Sequence, residues 1–341
     1  MHASTTTLRV LLDINPYSLD ERYREQLKAA CPDVELLDCA AGGLLEEWVD
    51  GEIDVLVTEQ VPRNIADWRN LRLVQLLSAG ANQLAGHPIT ETAIPVCSAS
   101  GAGSVPIAQF VTGALLMMTH RLPEILEFKK TRLWPNRLGL AGSSVRGLSA
   151  GIIGYGSIGR ECARQLDALG IRILCMKRDP TTRSDDGYNA WPGSGDPKGI
   201  IPAGWFSPAQ MSEMLPQCDF LIVTAPATPR TMGMIGKPEI ALLKPTTRIV
   251  VVSRGGIVDE TALADALRDG RIAGAAVDCF VREPLPVDHP FFDSPNLMLT
   301  PHMAGVHRGL WPALVGLLCE NLVRLDNGLP LLNRVNICLG Y

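Results

Sequence analysis

The sequence predicts an α/β protein of two parallel-sheet domains, the second inserted into the first, and three observations carry that prediction. The first hundred residues alternate short β-branched runs with helical stretches, a second and longer series of the same rhythm fills residues 149–300, and one more helix-like segment follows His302. Strand and helix in alternation are the mark of βαβ units, whose strands pair in parallel.

Taken in order, the strand-like runs of the first part are LRVLLDI (8–14), VELLD (34–38), IDVLVT (53–58), LRLVQLLS (71–78) and IPVCSA (94–99). An apolar-periodic segment over 105–119 predicts a helix leading out of this unit. The second series places strands at 149–154, 171–176, 219–224, 248–253, 273–278 and 297–300, six in all, a number that suits a dinucleotide-binding sheet. The segment 310–325, closed by Asn327-Gly328, has no later strand to serve and so is expected to return to the first domain. The expected domains are therefore 1–101 with 304–341, and 102–303, joined by two hinge crossings; the architecture is Rossmann-like and flavodoxin-like. Residues 179–206 break the rhythm with Gly, Pro and Ser where a short connection belongs, which reads either as an ordered excursion or lid or as a flexible surface insertion.

Composition narrows the function. In 341 residues the formal charge is −5 and aromatic residues make up 5%, so the chain offers neither a basic footprint for phosphates nor stacking platforms for bases. No nucleic acid partner is expected. The N-terminus lacks the basic region, apolar run and cleavage site of a secretion signal, and no stretch reaches the roughly 18 apolar residues of a span, so no membrane association is expected. Nine scattered cysteines without CxxC or metal-ligand spacing suit buried thiols in a reduced, cytoplasmic setting, with no metal.

The chemistry-bearing motif is Gly154-Tyr-Gly156-Ser157-Ile158-Gly159, directly after a predicted strand and at the mouth of a predicted helix running to Leu169. There the glycines permit a tight turn, close approach of backbone to a pyrophosphate, and helix–strand packing, with the phosphates facing the helix N-terminus. At the tip of the next strand an acid selects the free 2′-hydroxyl of NAD, whereas a cation accommodates the 2′-phosphate of NADP. Here the tip reads Lys177-Arg178 before Asp179, which favours NADP over NAD.

Three later strand ends carry polar residues unsuited to a core: Ser253-Arg254-Gly255-Gly256, Asp278 through Glu283-Pro284, and Thr300-Pro301-His302. In an open parallel sheet the ligand crevice lies beyond the carboxyl ends of the strands. The guanidinium of Arg254 matches a carboxylate and can polarise a neighbouring carbonyl. A histidine beside a carboxylate is the usual proton donor near neutrality, so His302 is expected to protonate the carbonyl oxygen with Glu283 orienting it.

With these motifs in this order, the chain resembles the D-isomer-specific 2-hydroxyacid dehydrogenases, the family of phosphoglycerate, D-lactate, glyoxylate and hydroxypyruvate enzymes. The resemblance runs over about 78–336 and includes the fingerprint, Pro226-Ala-Thr-Pro-Arg-Thr231, Ser253 to Glu260, Asp278 to Glu283-Pro284, and Thr300-Pro-His-Met-Ala-Gly305. It implies that Arg254, Glu283 and His302 are the catalytic trio and that Ala225, Pro226, Thr231, Ser253 and Gly305 lie along the cofactor. It further implies that Asp278 holds the nicotinamide carboxamide, that Ser78, Ala79 and Gly80 offer backbone donors to a substrate carboxylate, and that a homodimer forms through the cofactor domains; Trp134 is expected in the core, with a place near the partner's cleft as the alternative. The chain departs from the family pattern at Gln109, at Lys177 and in the length of 179–206, which leaves the nucleotide and the local cleft shape open. The implied activity is hydride transfer between NAD(P)H and a small 2-oxo or 2-hydroxy acid. Relatives in the same fold also include dinucleotide-sensing corepressors and formate- or phosphite-type dehydrogenases, which stand as alternatives.

Overall fold

Both sheets of the computed structural model are parallel throughout, and each is covered by helices. The structure describes residues 7–14, 18–39, 43, 45–48 and 52–341. They divide into one unit of 1–103, 187–192 and 307–341 and another of 104–186 and 193–306.

In the first unit, β1 (Leu8–Leu12), β2 (Val34–Asp38), β3 (Val55–Thr58), β4 (Leu73–Leu76) and β5 (Val96–Cys97) are ordered β2-β1-β3-β4-β5. This is the flavodoxin-like order, whose switch point lies between β1 and β3. Residues Leu8, Val10 and Leu12 enter one core and Leu11 the other, so β1 is apolar on both faces, as a central parallel strand must be. Over one face lie α1 (Glu21–Ala30), capped where Asp20 accepts from the Arg22 N–H, and the C-terminal helix α8 (Leu310–Asp326). Helix α8 packs on the first sheet: Val315, Leu318 and Leu322 join Tyr23 and Leu27 in one core. Its buried Asn321 donates to Gln75 Oε1 at 2.9 Å and accepts from Leu332 N at 2.8 Å, which fixes the helix against β4.

The second unit carries seven strands rather than six: β6 (Ser149–Ile153), β7 (Arg172–Met176), β8 (Gly204–Phe206), β9 (Phe220–Val223), β10 (Arg248–Val251), β11 (Gly274–Val277) and β12 (Leu297–Leu299). Their order, β12-β11-β10-β9-β6-β7-β8, is doubly wound, with the chain reversing direction across the sheet between β6 and β9. The strand absent from the sequence reading is β8, a three-residue edge strand at the end of the Gly/Pro-rich stretch. On one face α2 (Ser104–Thr119) packs with α4 (Ser157–Ala168) through Ala108, Leu115, Cys162 and Leu166; α3 (Leu122–Thr131) follows α2. The other face carries α5 (Met211–Met214), α6 (Lys237–Leu242) and α7 (Glu260–Arg268).

The 179–206 stretch is an ordered excursion. Arg160 on α4, almost wholly buried, donates to Asp185 Oδ2 at 3.1 Å, to the Asp196 carbonyl at 2.5 Å and to the Arg183 carbonyl at 2.8 Å. Tyr155 Oη donates to Asp196 Oδ2 at 2.7 Å, and Glu161, fully buried, accepts from Arg164, Gln165 and Gly195 N. Residues 187–192 leave this cluster and belong to the first unit, where Tyr188 Oη donates to the Ala313 carbonyl at 3.1 Å and Trp191 Nε1 to the Ala102 carbonyl at 2.8 Å. The chain thus passes between units four times, two more than the hinge reading expects. Among the described residues no helix is long and apolar enough to cross a membrane.

Candidate active site

The fingerprint lies where β6 turns into α4. Gly154 has φ +95°, and a Cβ there would stand 2.6 Å from the Ala225 backbone; one on Gly159 would stand 2.2 Å from the Gly154 carbonyl oxygen. Those two glycines bring strand and helix together. Gly156 differs, since a Cβ there would meet nothing within 4 Å. Open space before the first turn of α4, with Ser157 and Ile158 half-buried beside it, fits a pyrophosphate against helix N–H groups. Thr224 Oγ1 donates to the Gly154 carbonyl at 2.7 Å and so ties the end of β9 to this turn.

At the tip of β7, Lys177 Nζ donates to the Thr182 carbonyl at 2.6 Å, and Arg178 is exposed. Asp179 is occupied by its own turn: its carboxylate accepts from Thr181 Oγ1, Thr182 Oγ1 and Thr181 N, which push its pKa down to about 2. Ala225 is buried beyond β9, and Thr231 Oγ1 donates to the Pro226 carbonyl at 2.6 Å while accepting from Thr228 N, so Thr231 knits its own loop. Beyond β10 the buried Ser253 Oγ has no partner among the described residues, a polar atom that a bound nicotinamide group would satisfy. Gly305 is half-buried beside Ile107.

The structure brings Arg254, Glu283 and His302 to neighbouring strand ends. Arg254 follows β10 and donates from Nη1 to the Ser253 carbonyl at 2.8 Å. Gly255 lets this loop abut the one after β11, since a Cβ there would stand 1.9 Å from the Phe280 carbonyl carbon. Glu283 accepts from Phe280 N at 2.9 Å through Oε1, and its Oε2 lies 2.8 Å from His302 Nδ1. Burial pushes the Glu283 carboxyl up, but the hydrogen bonds from His302 and Phe280 and the charges of His302 and Arg254 outweigh it and hold the group below its ordinary value. Against a carboxylate, Nδ1 carries the proton and donates, so Nε2 is the ring atom left for a substrate.

Asp278 lies deeper. It is 2% exposed, with Oδ1 accepting from Thr300 Oγ1 at 2.6 Å and Met303 N at 2.8 Å and Oδ2 from Ala304 N at 2.9 Å. These bonds hold the loop that carries His302, whose own φ is +55°. A carboxylate offers about four acceptor positions, so one remains for a further donor such as an amide. The sequence reading did not assign Glu260, which accepts from Val281 N at 2.7 Å and meets His289 Nε2 at 3.2 Å, fastening the loop between Asp278 and Glu283. Glu260 is the first residue of α7, after the Asp259 cap, so its charge also faces the helix N-terminus.

Within the first unit, the loop after β4 is held by Ser78 Oγ donating to the Gly80 carbonyl at 2.7 Å and by Gln83 Nε2 donating to Ser78 Oγ at 3.1 Å. The N–H groups of Ala79 and Gly80 donate to nothing among the described residues. Two unengaged amides in one tight loop suit an anion.

A dinucleotide-dependent oxidoreductase is the class that this sheet, this glycine turn and this acid–base pair define. Residues 112–304 match the family model described as D-isomer specific 2-hydroxyacid dehydrogenase, NAD binding domain. A glyoxylate reductase of Thermococcus gammatolerans is 31% identical over 312 residues, covering 89% of this chain and 84% of that protein. A D-3-phosphoglycerate dehydrogenase of Archaeoglobus fulgidus is 28% identical over 269 residues, and there the chain spans only about half of the longer relative, 48%. Among solved structures, a D-isomer specific 2-hydroxyacid dehydrogenase of Xanthobacter autotrophicus, in complex with NADPH and MES, superposes with TM-score 0.81 at 25% identity, over 97% of this chain and all of that one. An NADPH-dependent glyoxylate/hydroxypyruvate reductase of Sinorhizobium meliloti shares the fold with TM-score 0.79 at 23% identity, over 98% of this chain and all of that one. The chain belongs to the D-isomer specific 2-hydroxyacid dehydrogenase family, whose members are NAD(P)-dependent enzymes.

Proposed function

We propose that this protein reduces a small 2-oxo acid to the D-2-hydroxy acid with NADPH in preference to NADH. The observation that carries the reading is the pairing of His302 Nδ1 with Glu283 Oε2 at 2.8 Å, beside a loop that presents Arg254. Glu283 keeps the imidazole in the tautomer whose Nε2 faces outward, and in its protonated form that nitrogen delivers a proton to the carbonyl oxygen as it gains charge. Arg254 polarises the same carbonyl and anchors the carboxylate. When bound, the nicotinamide supplies the hydride. Gly154 and Gly159 shape the turn and Gly156 leaves it open to the pyrophosphate, Ser253 and Asp278 hold the nicotinamide end, and Lys177 and Arg178 the 2′-phosphate. NADPH in the Xanthobacter relative supports that preference.

The names of the relatives, reductases and dehydrogenases of hydroxy acids, favour this reading over a corepressor-like scaffold or a formate- or phosphite-type enzyme. Nine free thiols, seven of them buried, support a reduced cytoplasmic setting, and the apolar face of α3 supports a homodimer. The test is a spectrophotometric panel of glyoxylate, hydroxypyruvate and pyruvate with NADPH and NADH in parallel. Oxidation of NADPH by at least one acid is expected; none with either nucleotide overturns the reading.

A further inference from the structure

Glycine at 154, 156 and 159 leaves the fingerprint turn with few side chains of its own to fix its backbone. Gly154 N donates to the Met176 carbonyl at 3.0 Å, and the Gly156 carbonyl accepts from Arg160 N at 2.9 Å, so the two ends are tied to β7 and to α4. Between these glycines stands Tyr155. It is 2% exposed, its ring packs edge-on against Trp205 with centroids 5.1 Å apart, and its hydroxyl donates to Asp196 Oδ2 at 2.7 Å. Burial and the Asp196 carboxylate push the phenol pKa up, so the hydroxyl keeps its proton and stays a donor.

Asp196 belongs to the 179–206 excursion and is itself firmly held. Buried like Tyr155, it accepts from Ile200 N at 3.0 Å through Oδ1 and from Ile201 N at 3.1 Å through Oδ2, while its carbonyl accepts from Arg160 Nη1 at 2.5 Å. The Arg160 guanidinium, rising from the first turn of α4, also lies 4.9 Å from the centre of the Tyr155 ring. Fingerprint turn, helix start and excursion therefore share one buried polar cluster. A loop that must be ordered by its ligand lowers affinity, whereas a loop fixed beforehand does not.

Resting on the placement of the pyrophosphate at this turn, we infer that Tyr155 and Asp196 are positioning residues of the nucleotide site. Through their hydrogen bond the excursion holds the backbone of 154–156 in the shape that receives the pyrophosphate, and so sets the affinity for NADPH and NADH alike.

Tyr155→Phe tests this, because it removes the hydroxyl alone and leaves Asp196 its Ile200 and Ile201 donors, which keep the excursion folded. Tyr188→Phe is the comparison: it removes a hydroxyl from the same excursion, one that donates to the Ala313 carbonyl and takes no part in the cluster. Fluorescence titration of the full chain gives Kd for both nucleotides, with thermal melts alongside. Tyr155→Phe is expected to raise both Kd values at least fivefold and by the same factor, and to raise KM for the nucleotide with kcat unchanged. Tyr188→Phe is expected to bind as wild type even where its Tm falls. Asp196→Ala removes the bond from its other partner, and Tyr155→Phe combined with it is expected to bind no more weakly than Asp196→Ala alone; should Asp196→Ala not fold, Tyr155→Phe carries the test. Unchanged Kd in folded Tyr155→Phe overturns the inference, as do losses that differ between the nucleotides or an equal loss in Tyr188→Phe, and each leaves the pyrophosphate at this turn. A wild-type chain that binds neither nucleotide overturns both.

Discussion

At the residue scale the proposed chemistry rests on the pair His302 and Glu283. Removing the imidazole in His302→Ala is expected to cut kcat by about 10² to 10⁴, the usual worth of a positioned acid, while a fluorescence titration shows NADPH still bound; undiminished turnover would remove His302 from the mechanism. Glu283 gives the pH dependence. Its folded pKa is depressed, so its contribution to stability is fully present above the unfolded value and is lost as pH falls through the folded one. Glu283→Gln should therefore melt below wild type at pH 7, and the gap in Tm should close in acid, below the ordinary carboxylate range. A gap that widens toward acid would contradict the depressed pKa. The nucleotide preference belongs here too: changing Lys177 and Arg178 together to Ala is expected to weaken NADPH at least tenfold more than NADH, and equal losses would refute the 2′-phosphate role. That Arg254, Glu283 and His302 come to neighbouring strand ends was legible in the sequence because charged residues at the ends of apolar strand runs have no place in a core. The bond from Val281 N to Glu260 was not legible, because it joins a helix start to a loop twenty-one residues away and leaves no local pattern.

At the scale of elements, the fingerprint turn separates packing from binding. Gly154→Ala places a Cβ against the Ala225 backbone at φ +95° and is expected to destabilise the fold by about 1–3 kcal/mol or more. Gly156→Ala meets no protein atom, so its Tm should stay near wild type, yet its methyl would stand where the pyrophosphate approaches and dinucleotide affinity should drop at least tenfold. Thermal melts beside nucleotide titrations check both, and a Gly156→Ala variant that binds normally would displace the pyrophosphate from this turn. Most strands could be read from apolar runs because parallel strands are buried on both faces. Strand β8 could not, since three half-buried residues, Gly204, Trp205 and Phe206, pair only on the β7 side and carry no periodicity. The order of the excursion was hidden for a related reason: it depends on Arg160 and Glu161, charges buried on the inner side of α4, and a sequence reading assigns charges to the solvent face.

At the scale of the whole molecule the unsatisfied feature is α3. None of its residues is buried, and Leu126, Leu133, Trp134 and Leu138, on the helix and the segment after it, are 60%, 73%, 76% and 88% exposed. A helix of ten residues is marginal on its own in water, and large apolar side chains exposed together on one segment mark an interface. The edge contact of Phe128 with Trp134, centroids 5.3 Å apart, is the main aromatic packing the segment has within its own chain. A second copy presenting the same surface would cover it, since a two-fold interface is self-complementary. The protein is therefore expected to sediment as a dimer. Leu126→Asp with Trp134→Ala should shift it to monomer, lower Tm, and reduce helical ellipticity by roughly the share of one short helix. Because the fingerprint turn lies elsewhere in the second unit, the monomeric variant should still quench on NADPH addition, which separates loss of assembly from loss of fold. A wild-type monomer at micromolar concentration, or a double variant that remains dimeric, would rule out α3 as the surface that joins the copies.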